Sequence, residues 1–129
     1  MIDVVAAIIK DSKWNILIAQ RNLKKSQGGL WEFPGGKVEP NETKEKALIR
    51  EIKEELDMDI KVDSLFDENK FSYPEKVINL IAFNCSMLNN NYKSLEHEKI
   101  EWVTINELDN YEFAPADINI VNKLKQKNL

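Results

Sequence analysis

The sequence predicts a mixed α/β protein, an α/β or α+β sandwich in which helices pack against a mixed β-sheet. Strand-like segments rich in β-branched residues recur along the chain, and two substantial segments with helical periodicity lie among them. The chain has 129 residues, which is enough for one domain with a substantial core and too few for two comfortable ones. We therefore expect a single domain over residues 1–129.

The first third of the chain predicts a β-hairpin followed by an ordered loop. Ile2–Lys10 is apolar and β-branched, which indicates a buried strand, and residues 15–20 indicate a second strand after a polar turn. Residues 24–29 are polar and contain glycine, which predicts a loop. The stretch WEFPGGKVEPNE, residues 31–42, contains two prolines and a Gly-Gly pair, so we expect it to be mostly ordered loop.

Two helices and several strands are predicted in the remainder. Residues 43–56 form the clearest helix, and the final helix is expected over residues 115–126, where a proline in the first turn is tolerated. Each helix has an apolar stripe that predicts its buried face: Leu48, Ile49, Ile52 and Leu56 in the first, Ile118, Val121 and Leu124 in the second. Extended segments are predicted at residues 59–66, 71–73, 76–88 and 100–103, and one helical turn at residues 105–108.

The composition excludes several classes of partner. The net charge is −4, so the chain has no basic field for DNA or RNA, although a metal ion can still bring in a small anionic ligand. No apolar run approaches the roughly 18 residues of a membrane span. The single cysteine, Cys85, lies in an apolar run and is expected to be buried, and it cannot form an internal disulfide. We expect a cytoplasmic protein that binds neither a nucleic acid polymer nor a membrane.

The segment REIKEEL, residues 50–56, crowds like charges on one side of the first helix. Glu51, Glu54 and Glu55 lie at positions i, i+3 and i+4, beside the apolar stripe. Two such charges about 4 Å apart repel by about 4 kcal/mol at an effective dielectric constant of ~20. A solvated acidic face is one interpretation. The other is a divalent-cation site, because Mg²⁺ binds carboxylate oxygens together with the phosphates of a substrate.

The stretch GGKVEPNETKEKALIREIKEELDM, which begins at Gly35, resembles the Nudix box, G-x5-E-x7-R-E-U-x-E-E-x-G-U, where U is a bulky aliphatic residue. The matched positions span 23 residues, from Gly36 to Met58, and include Glu42, Arg50, Ile52 and the three helix glutamates. One position departs from the box, because Asp57 stands where it has a glycine. Asp enters the left-handed region more readily than most residues, so we expect a slightly costlier helix end and unchanged chemistry.

The resemblance extends over nearly the whole chain. The WEFPGGKVEPNE stretch, the region of Arg21 and the segment FAPADI are similar to the MutT branch of the family, and within it to enzymes of the CTP pyrophosphohydrolase and 8-oxo-dGTP diphosphatase type. This resemblance implies the Nudix α/β/α sandwich, with a mixed β-sheet between helices. It also implies a pyrophosphohydrolase that depends on Mg²⁺, with Mn²⁺ as a possible substitute.

The resemblance assigns metal ligands and catalytic groups. The carboxylates of Glu51, Glu54 and Glu55 match metal-ligand positions, and the backbone carbonyl of Gly35 matches a further one. Glu96 matches a ligand on a distant loop, with Glu98 as the alternative if the register differs by two residues. Glu51 or Glu96 would act as general base, with Glu54 as a further catalytic carboxylate. His97, the only histidine, is given no catalytic role because Mg²⁺ chemistry does not need one.

The remaining candidates bind substrate or support the site. The resemblance pairs Glu42 with Arg50, and this pair would preorganise the metal ligands. Gly36 is a further position that supports the site. Phosphate contacts are expected from Arg21 and Lys37, unless these are ordinary surface residues. Phe33 and Tyr73 are expected to pack on the base, unless they belong to the core. Asp117 is expected to read the edge of the base, with a helix N-cap as an equal alternative.

The function implied is hydrolysis of a nucleoside triphosphate to a nucleoside monophosphate and pyrophosphate. The expected substrates are (d)CTP, 5-modified cytosine nucleotides or oxidised guanine nucleotides, which the enzyme would remove from the nucleotide pool. Two alternatives remain at this point. The chain could be a Nudix hydrolase of dinucleoside polyphosphates or nucleotide sugars, or a catalytically silent nucleotide-binding module. The sequence leaves open whether the protein is a monomer or a homodimer.

Overall fold

The computed structural model describes residues 1–127, and within them seven strands form one mixed sheet. The strands are β1 (Ile2–Lys10), β2 (Ile16–Gln20), β3 (Trp31–Glu32), β4 (Gly35–Lys37), β5 (Ile60–Tyr73), β6 (Lys76–Met87) and β7 (Lys99–Val103). The helices are α1 (Lys44–Leu56) and α2 (Ile118–Lys127), with 3₁₀ turns at Ile105–Asn110 and Pro115–Asp117. The last two residues of the expected domain lie outside the described part of the chain.

The sheet is mixed because β1 pairs in both directions. Its whole length runs parallel to β6, while Val4–Ala6 pair antiparallel with β4 and Lys10 pairs with the start of β2. The order of the main path is β3-β2-β1-β6-β5, and β7 adds to β2. The parallel pair β1–β6 requires a long crossover, which contains α1 and β5.

Alternating residues of β1 supply the cores on the two faces of the sheet, as the two-residue period of a strand requires. Val5, Ala7 and Ile9 belong to a buried cluster with the apolar residues of α1, which include Leu48, Ile52 and Leu56. Ala6 and Ile8 belong to a second cluster with Ile120, Val121 and Leu124 of α2. A helix therefore covers each face, and the predicted sandwich with a mixed sheet is confirmed.

Several sequence predictions are corrected in detail. β5 is one strand across the two extended segments that were expected, and register shifts between Val62 and Ser64 and between Leu65 and Asp67 disturb its alternation. The stretch expected to be mostly loop contains the short strands β3 and β4. The sequence did not predict these strands because their pairing partners, β2 and β1, lie elsewhere in the chain. Ile49 and Ile118, at the margins of the predicted apolar stripes, are exposed.

The predictions for Asp57 and Cys85 are confirmed. The structure adds that Thr43 caps the N-terminus of α1, where its side chain accepts a hydrogen bond from the backbone N–H of Lys46 at 3.1 Å. Asp57 ends the helix in the left-handed conformation, with φ 49° and ψ 38°. Cys85 is buried, and burial raises the pKa of its thiol to about 12. Neither helix in residues 1–127 is long and apolar enough to cross a membrane.

Candidate active site

A cavity of about 640 Å³ opens where β1, the glycine pair of β4, α1 and the loop before β7 meet. Most of the residues expected to bind metal or substrate line this cavity: Arg21, Phe33, Gly35, Gly36, Lys37, Glu51, Glu55, Tyr73, Glu96 and Asp117. Glu42, Arg50 and Glu54 lie beside the cavity, and Arg50 reaches its wall by a hydrogen bond to Glu51. Fold topology thus brings together residues that are almost 100 positions apart in the chain.

The glycine pair allows α1 to approach β4 closely. A side chain at Gly36 would overlap the carboxyl group of Glu51, and a side chain at Gly35 would overlap the backbone carbonyl of Val5 on β1. Both positions therefore need glycine because of close approach, and the φ angle plays no part. The consequence is that the carboxylate of Glu51 lies directly over the backbone of β4.

Arg50 is the main counter-charge of the acidic helix face. Its guanidinium donates to Glu51 Oε1 at 2.9 Å and to Glu54 Oε2 at 3.1 Å, and Nη2 donates to Glu42 Oε1 at 2.7 Å and to the carbonyl of Lys37 at 3.1 Å. These hydrogen bonds, that to Glu42 foremost, raise the pKa of Arg50. The crowding of Glu51 and Glu54 is therefore offset within the chain itself by Arg50, a partner that neither interpretation of the acidic segment included.

Glu55 is different because no basic side chain of Lys or Arg pairs with it in residues 1–127. Its side chain is 6% exposed. Burial, reinforced by a hydrogen bond with Glu51 and the negative charges of Glu32, Glu51 and Glu96, raises the pKa of Glu55 to about 10. Glu55 therefore carries a proton at neutral pH unless a cation is bound beside it.

Two residues with no assigned role in the sequence analysis, Glu32 and His97, lie in the wall of the cavity. Glu32 Oε1 accepts a hydrogen bond from Arg21 Nη1 at 2.8 Å, and Glu32 Oε2 lies 2.9 Å from His97 Nε2. The same ring nitrogen is 3.5 Å from Glu55 Oε1. Burial on its own would raise the pKa of Glu32, but hydrogen bonds and charge from His97 and Arg21 outweigh burial and lower it.

The sequence contained a weak signal for each of these residues. Glu32 is an acidic residue between two aromatic residues, Trp31 and Phe33, and a charged side chain in such a place is buried only when it is paired. His97 directly follows Glu96, which was already a candidate. Neither signal showed that the two side chains meet each other and Glu55, because β3, α1 and the loop before β7 are distant in sequence.

The loop that carries Glu96 and His97 is anchored on the end of α1. The backbone N–H of Lys93 donates to the carbonyl of Leu56 at 2.8 Å, and that of Leu95 donates to the carbonyl of Glu55 at 2.9 Å. These are C-terminal helix carbonyls that lack partners inside the helix. The loop places Glu96 in the cavity wall, whereas Glu98, the alternative in the sequence analysis, does not line the cavity.

Asp117 lies at the other part of the cavity wall and is buried. Its Oδ1 accepts a hydrogen bond from the backbone N–H of Phe33 at 3.4 Å, and its own N–H donates to the carbonyl of Ala114. Ala114 occupies the N-cap position of this 3₁₀ turn, and the Asp117 side chain is engaged by Phe33, which follows β3. Burial, with a smaller contribution from the charge of Glu32, raises the pKa of Asp117 well above its usual range.

The aromatic candidates border the same region. The ring of Phe33 stacks on Phe113 at a centroid distance of 5.4 Å, and Phe33 belongs to the core as well as to the cavity wall. The hydroxyl of Tyr73 accepts a hydrogen bond from the backbone N–H of Ala116 at 3.2 Å. Arg21 is held as well, since its Nε donates to the carbonyl of Ser26 at 2.9 Å. The cavity therefore contains an acidic cluster, which comprises Glu51, Glu55 and Glu96 with Glu54 beside it. The same cavity contains the buried carboxyl group of Asp117 and aromatic side chains.

The NUDIX domain family model matches residues 4–123, and the chain therefore belongs to the Nudix hydrolase family. The chain is 40% identical to the CTP pyrophosphohydrolase of Escherichia coli (strain K12) over 122 residues, which cover 94% of this chain and 89% of that protein. It is 46% identical to an 8-oxo-dGTP diphosphatase of Proteus vulgaris over 80 residues, which cover 62% of this chain and 71% of that protein. The crystal structure of a MutT protein from Methanosarcina mazei Go1 superposes with a TM-score of 0.87 and 26% identity, over 98% of this chain and 94% of that one.

These similarities confirm the class that the sequence resemblance implied. The chain is a Nudix hydrolase that acts on phosphoric anhydrides, and the relatives favour a nucleotide pyrophosphohydrolase over the alternatives. The fold, the family match and the carboxylates of the cavity agree on this class.

Proposed function

We propose that the chain hydrolyses a nucleoside triphosphate to a nucleoside monophosphate and pyrophosphate, with cytosine or a 5-modified cytosine as the preferred base and an oxidised guanine as the second choice. One observation carries the proposal. A single cavity wall contains both the acidic cluster around Glu55 and the buried carboxyl group of Asp117. The acidic cluster suits the anhydride chemistry, and Asp117 suits recognition of a base.

The acidic cluster fits a divalent cation, which members of this family generally need. Glu55 is a buried carboxyl group that no Lys or Arg of residues 1–127 pairs with, and Glu51 lies over the backbone of the glycine pair. In the proposal Glu51, Glu54, Glu55, Glu96 and the carbonyl of Gly35 hold Mg²⁺, and Mn²⁺ suits the same oxygen ligands. When bound, the ion neutralises the polyphosphate and lowers the pKa of a coordinated water.

The protein groups would then position the reactants. Arg21 and Lys37 border the cavity and are the phosphate contacts of the proposal, with Arg21 exchanging part of its hydrogen bonding from Glu32 to the substrate. Glu51 and Glu96 remain the two candidates for the general base that accepts a proton from water. Glu42 and Arg50 support the site, since their hydrogen bond at 2.7 Å fixes the side chain that orients Glu51.

Asp117 is the proposed reader of the base. Burial raises the pKa of Asp117 well above its usual range, and in the proposal the protonated carboxyl group offers one O–H donor and one carbonyl acceptor side by side. Cytosine presents the complementary pair, an exocyclic amine that donates and a ring nitrogen that accepts. The relatives named for CTP and for 8-oxo-dGTP support these two bases as the candidates for this chain.

The test is a panel of nucleotides with Mg²⁺ and an added inorganic pyrophosphatase. We expect kcat/KM to be highest for CTP, dCTP or 5-hydroxy-dCTP, with 8-oxo-dGTP next and dGTP low, and phosphate to be released only when the pyrophosphatase is present. Asp117→Ala should lower kcat/KM for the favoured base by about 10- to 100-fold, the value of one buried hydrogen-bond partner, and should affect the other bases little.

Two results would contradict the proposal. Faster turnover of a dinucleoside polyphosphate or a nucleotide sugar would favour the alternative Nudix substrates. A uniform loss across all nucleotides in Asp117→Ala, together with a lower melting temperature, would show that Asp117 supports the fold and does not read the base. Measuring the melting temperature of the variant beside its kinetics separates these cases.

The proposal includes the setting of the enzyme. It acts as a single domain in the cytoplasm, on free nucleotides, without a membrane or nucleic acid partner, and as a monomer or a homodimer. The net charge of −4 and the buried free thiol of Cys85 support this setting.

A further inference from the structure

The side chain of His97 lies in the cavity wall between Glu32 and Glu55. That side chain is 6% exposed, and its Nε2 faces two carboxyl groups, at 2.9 Å from Glu32 Oε2 and 3.5 Å from Glu55 Oε1. Its other ring nitrogen, Nδ1, is buried and has no hydrogen-bond partner within the described residues. The ring therefore makes all of its polar contacts through one atom.

This asymmetry decides which nitrogen carries the proton. A buried N–H without an acceptor costs more than a bare lone pair, and an ionised carboxylate can only accept. The arrangement with the proton on Nε2 satisfies both conditions, because Nε2–H then donates to Glu32 and faces Glu55. In that tautomer His97 is a hydrogen-bond donor between two carboxyl groups that are otherwise crowded together.

Hydrogen bonds hold the backbone on both sides of His97 in place. Ser94 Oγ donates to the carbonyl of His97 at 3.0 Å, and the N–H of Glu98 donates to the carbonyl of Gln20 at 2.9 Å. The N–H of Leu95 donates to the carbonyl of Glu55. The loop that carries His97 is thus attached both to β2 and to the helix that carries Glu55.

Glu32 also contacts Arg21, which is a phosphate contact in the proposed function. Its second oxygen, Oε1, accepts a hydrogen bond from Arg21 at 2.8 Å. A continuous series of contacts therefore runs from Arg21 through Glu32 and His97 to Glu55. We propose that His97 is a positioning residue that donates through its Nε2–H to Glu32 and lies against Glu55, and thereby links Arg21 to Glu55, which are the phosphate contact and the metal ligand of the proposed function.

A direct metal ligand is the competing role for His97. Ligand atoms of Glu32, Glu55 and His97 lie within 4.8 Å of one another, which is close enough to share an ion. A histidine that binds a metal almost always donates its other ring N–H to a fixed acceptor, and Nδ1 of His97 has no such acceptor in the described residues. Glu32 is also engaged by Arg21. Both observations favour a hydrogen-bonding role.

A matched pair of amide variants separates the two roles. The side-chain amide of glutamine reaches about as far as Nε2 of histidine and can replace its donor, whereas that of asparagine reaches only as far as Nδ1. We would measure Mn²⁺ affinity of the full chain by the electron paramagnetic resonance of free Mn²⁺, then kcat and KM for CTP, and the melting temperature. The inference rests on the proposed function for the role of Glu55 as a metal ligand. The Mn²⁺ measurement needs no substrate, so its outcome does not depend on which nucleotide the protein hydrolyses.

We expect His97→Asn to weaken Mn²⁺ binding and to lower kcat by about 10- to 100-fold each, the usual cost of losing a partner that orients a metal ligand. KM for CTP should change little. His97→Gln should keep most of the wild-type Mn²⁺ affinity and kcat. Its melting temperature should be similar to that of His97→Asn.

Three outcomes would overturn the inference. Wild-type Mn²⁺ affinity and kcat in His97→Asn would show that the ring has no positioning role. Equal loss of Mn²⁺ affinity in both variants at an unchanged melting temperature would make His97 a metal ligand, because an amide nitrogen does not replace an imidazole in that role. Losses that follow the melting temperature in both variants would make it a packing residue.

Discussion

Asp57 shows how one residue can meet a backbone requirement that usually selects glycine. It lies at φ 49° and ψ 38°, directly after the last residue of α1, and its N–H donates to the carbonyl of Lys53 at 3.0 Å. Its carboxylate also pairs with Lys53 Nζ at 3.3 Å. Both side chains of that pair are about half exposed, so the pair recovers only a small part of the left-handed penalty.

The prediction at this scale compares two substitutions of Asp57. Asp57→Gly removes the penalty of about 1 kcal/mol for a side chain in the left-handed region, and Asp57→Ala keeps the penalty while losing the ion pair. We expect the free energy of unfolding to be about 1 kcal/mol higher for the glycine variant than for the alanine variant, and at least equal to that of the wild type. Urea denaturation at neutral pH measures both. Equal stability of the two variants would show that the left-handed turn is not the cost it is taken to be.

Glu55 illustrates why a residue's identity does not give its protonation state. Glu51, Glu54 and Glu55 are the same residue type within five positions, yet Arg50 neutralises the first two by hydrogen bonds, while burial keeps the third protonated. The difference follows from the direction in which each side chain leaves the helix. The side chain of Glu54 is half exposed and pairs with Arg50, whereas that of Glu55 is buried and lines the cavity beside His97.

At the scale of elements, α1 is both a packing helix and the support of the acidic cluster. Its apolar face packs on β1 through Leu48, Ile52 and Leu56, and its C-terminal carbonyls hold the loop of Glu96 and His97. The helix therefore fixes its own glutamates and the distant loop relative to the same strand. This arrangement preorganises the cluster before any cation is present.

We expect Glu54→Gln and Glu55→Gln each to lose most of the turnover, because each removes a carboxylate proposed to hold the metal ion. The loss of several kcal/mol of transition-state stabilisation corresponds to a fall in kcat of roughly 10³ or more. Glu45→Gln is the matched control, since Glu45 is an exposed glutamate in the first turn of the same helix and should leave kcat near that of the wild type. Near-normal turnover of both cluster variants at saturating Mg²⁺ would refute the metal assignment.

At the scale of the whole molecule, the cavity exists because several elements converge on β1. β4 contributes the glycine pair to one edge of β1, α1 covers the same face, and β3 and the loop before β7 supply Glu32 and His97. A cation bound in this cavity by the proposed ligands would join parts of the chain from Gly35 to Glu96, which are 61 positions apart. Its binding should therefore stabilise the entire fold rather than one segment.

The corresponding prediction concerns thermal unfolding. Mg²⁺ at about 100 times its dissociation constant should raise the free energy of unfolding by about 2.7 kcal/mol, since only the folded chain presents the cluster. We expect a clear rise in the melting temperature of the wild type and of Glu45→Gln, and a smaller rise in Glu55→Gln. Calorimetry at constant ionic strength measures the shift. An equal rise in all three proteins would place the ion elsewhere on the surface.

The sequence by itself determined the elements whose signals are local. The bounds of β1 follow from an apolar stretch rich in β-branched residues, and those of α1 follow from a helical period and a fixed motif. The motif also indicated the acidic cluster, because three glutamates at helical spacing must share a face. These features need no knowledge of which parts of the chain meet.

The tertiary structure alone decided the features that depend on partners distant in sequence. β3 and β4 are strands only because β2 and β1 pair with them, and β5 is continuous only because β6 tolerates its register shifts. The contacts of Glu32 with His97 and the proximity of His97 to Glu55 arise in the same way. A side chain's neighbours in space set its charge and its role, and those neighbours are chosen by the packing of the whole sheet.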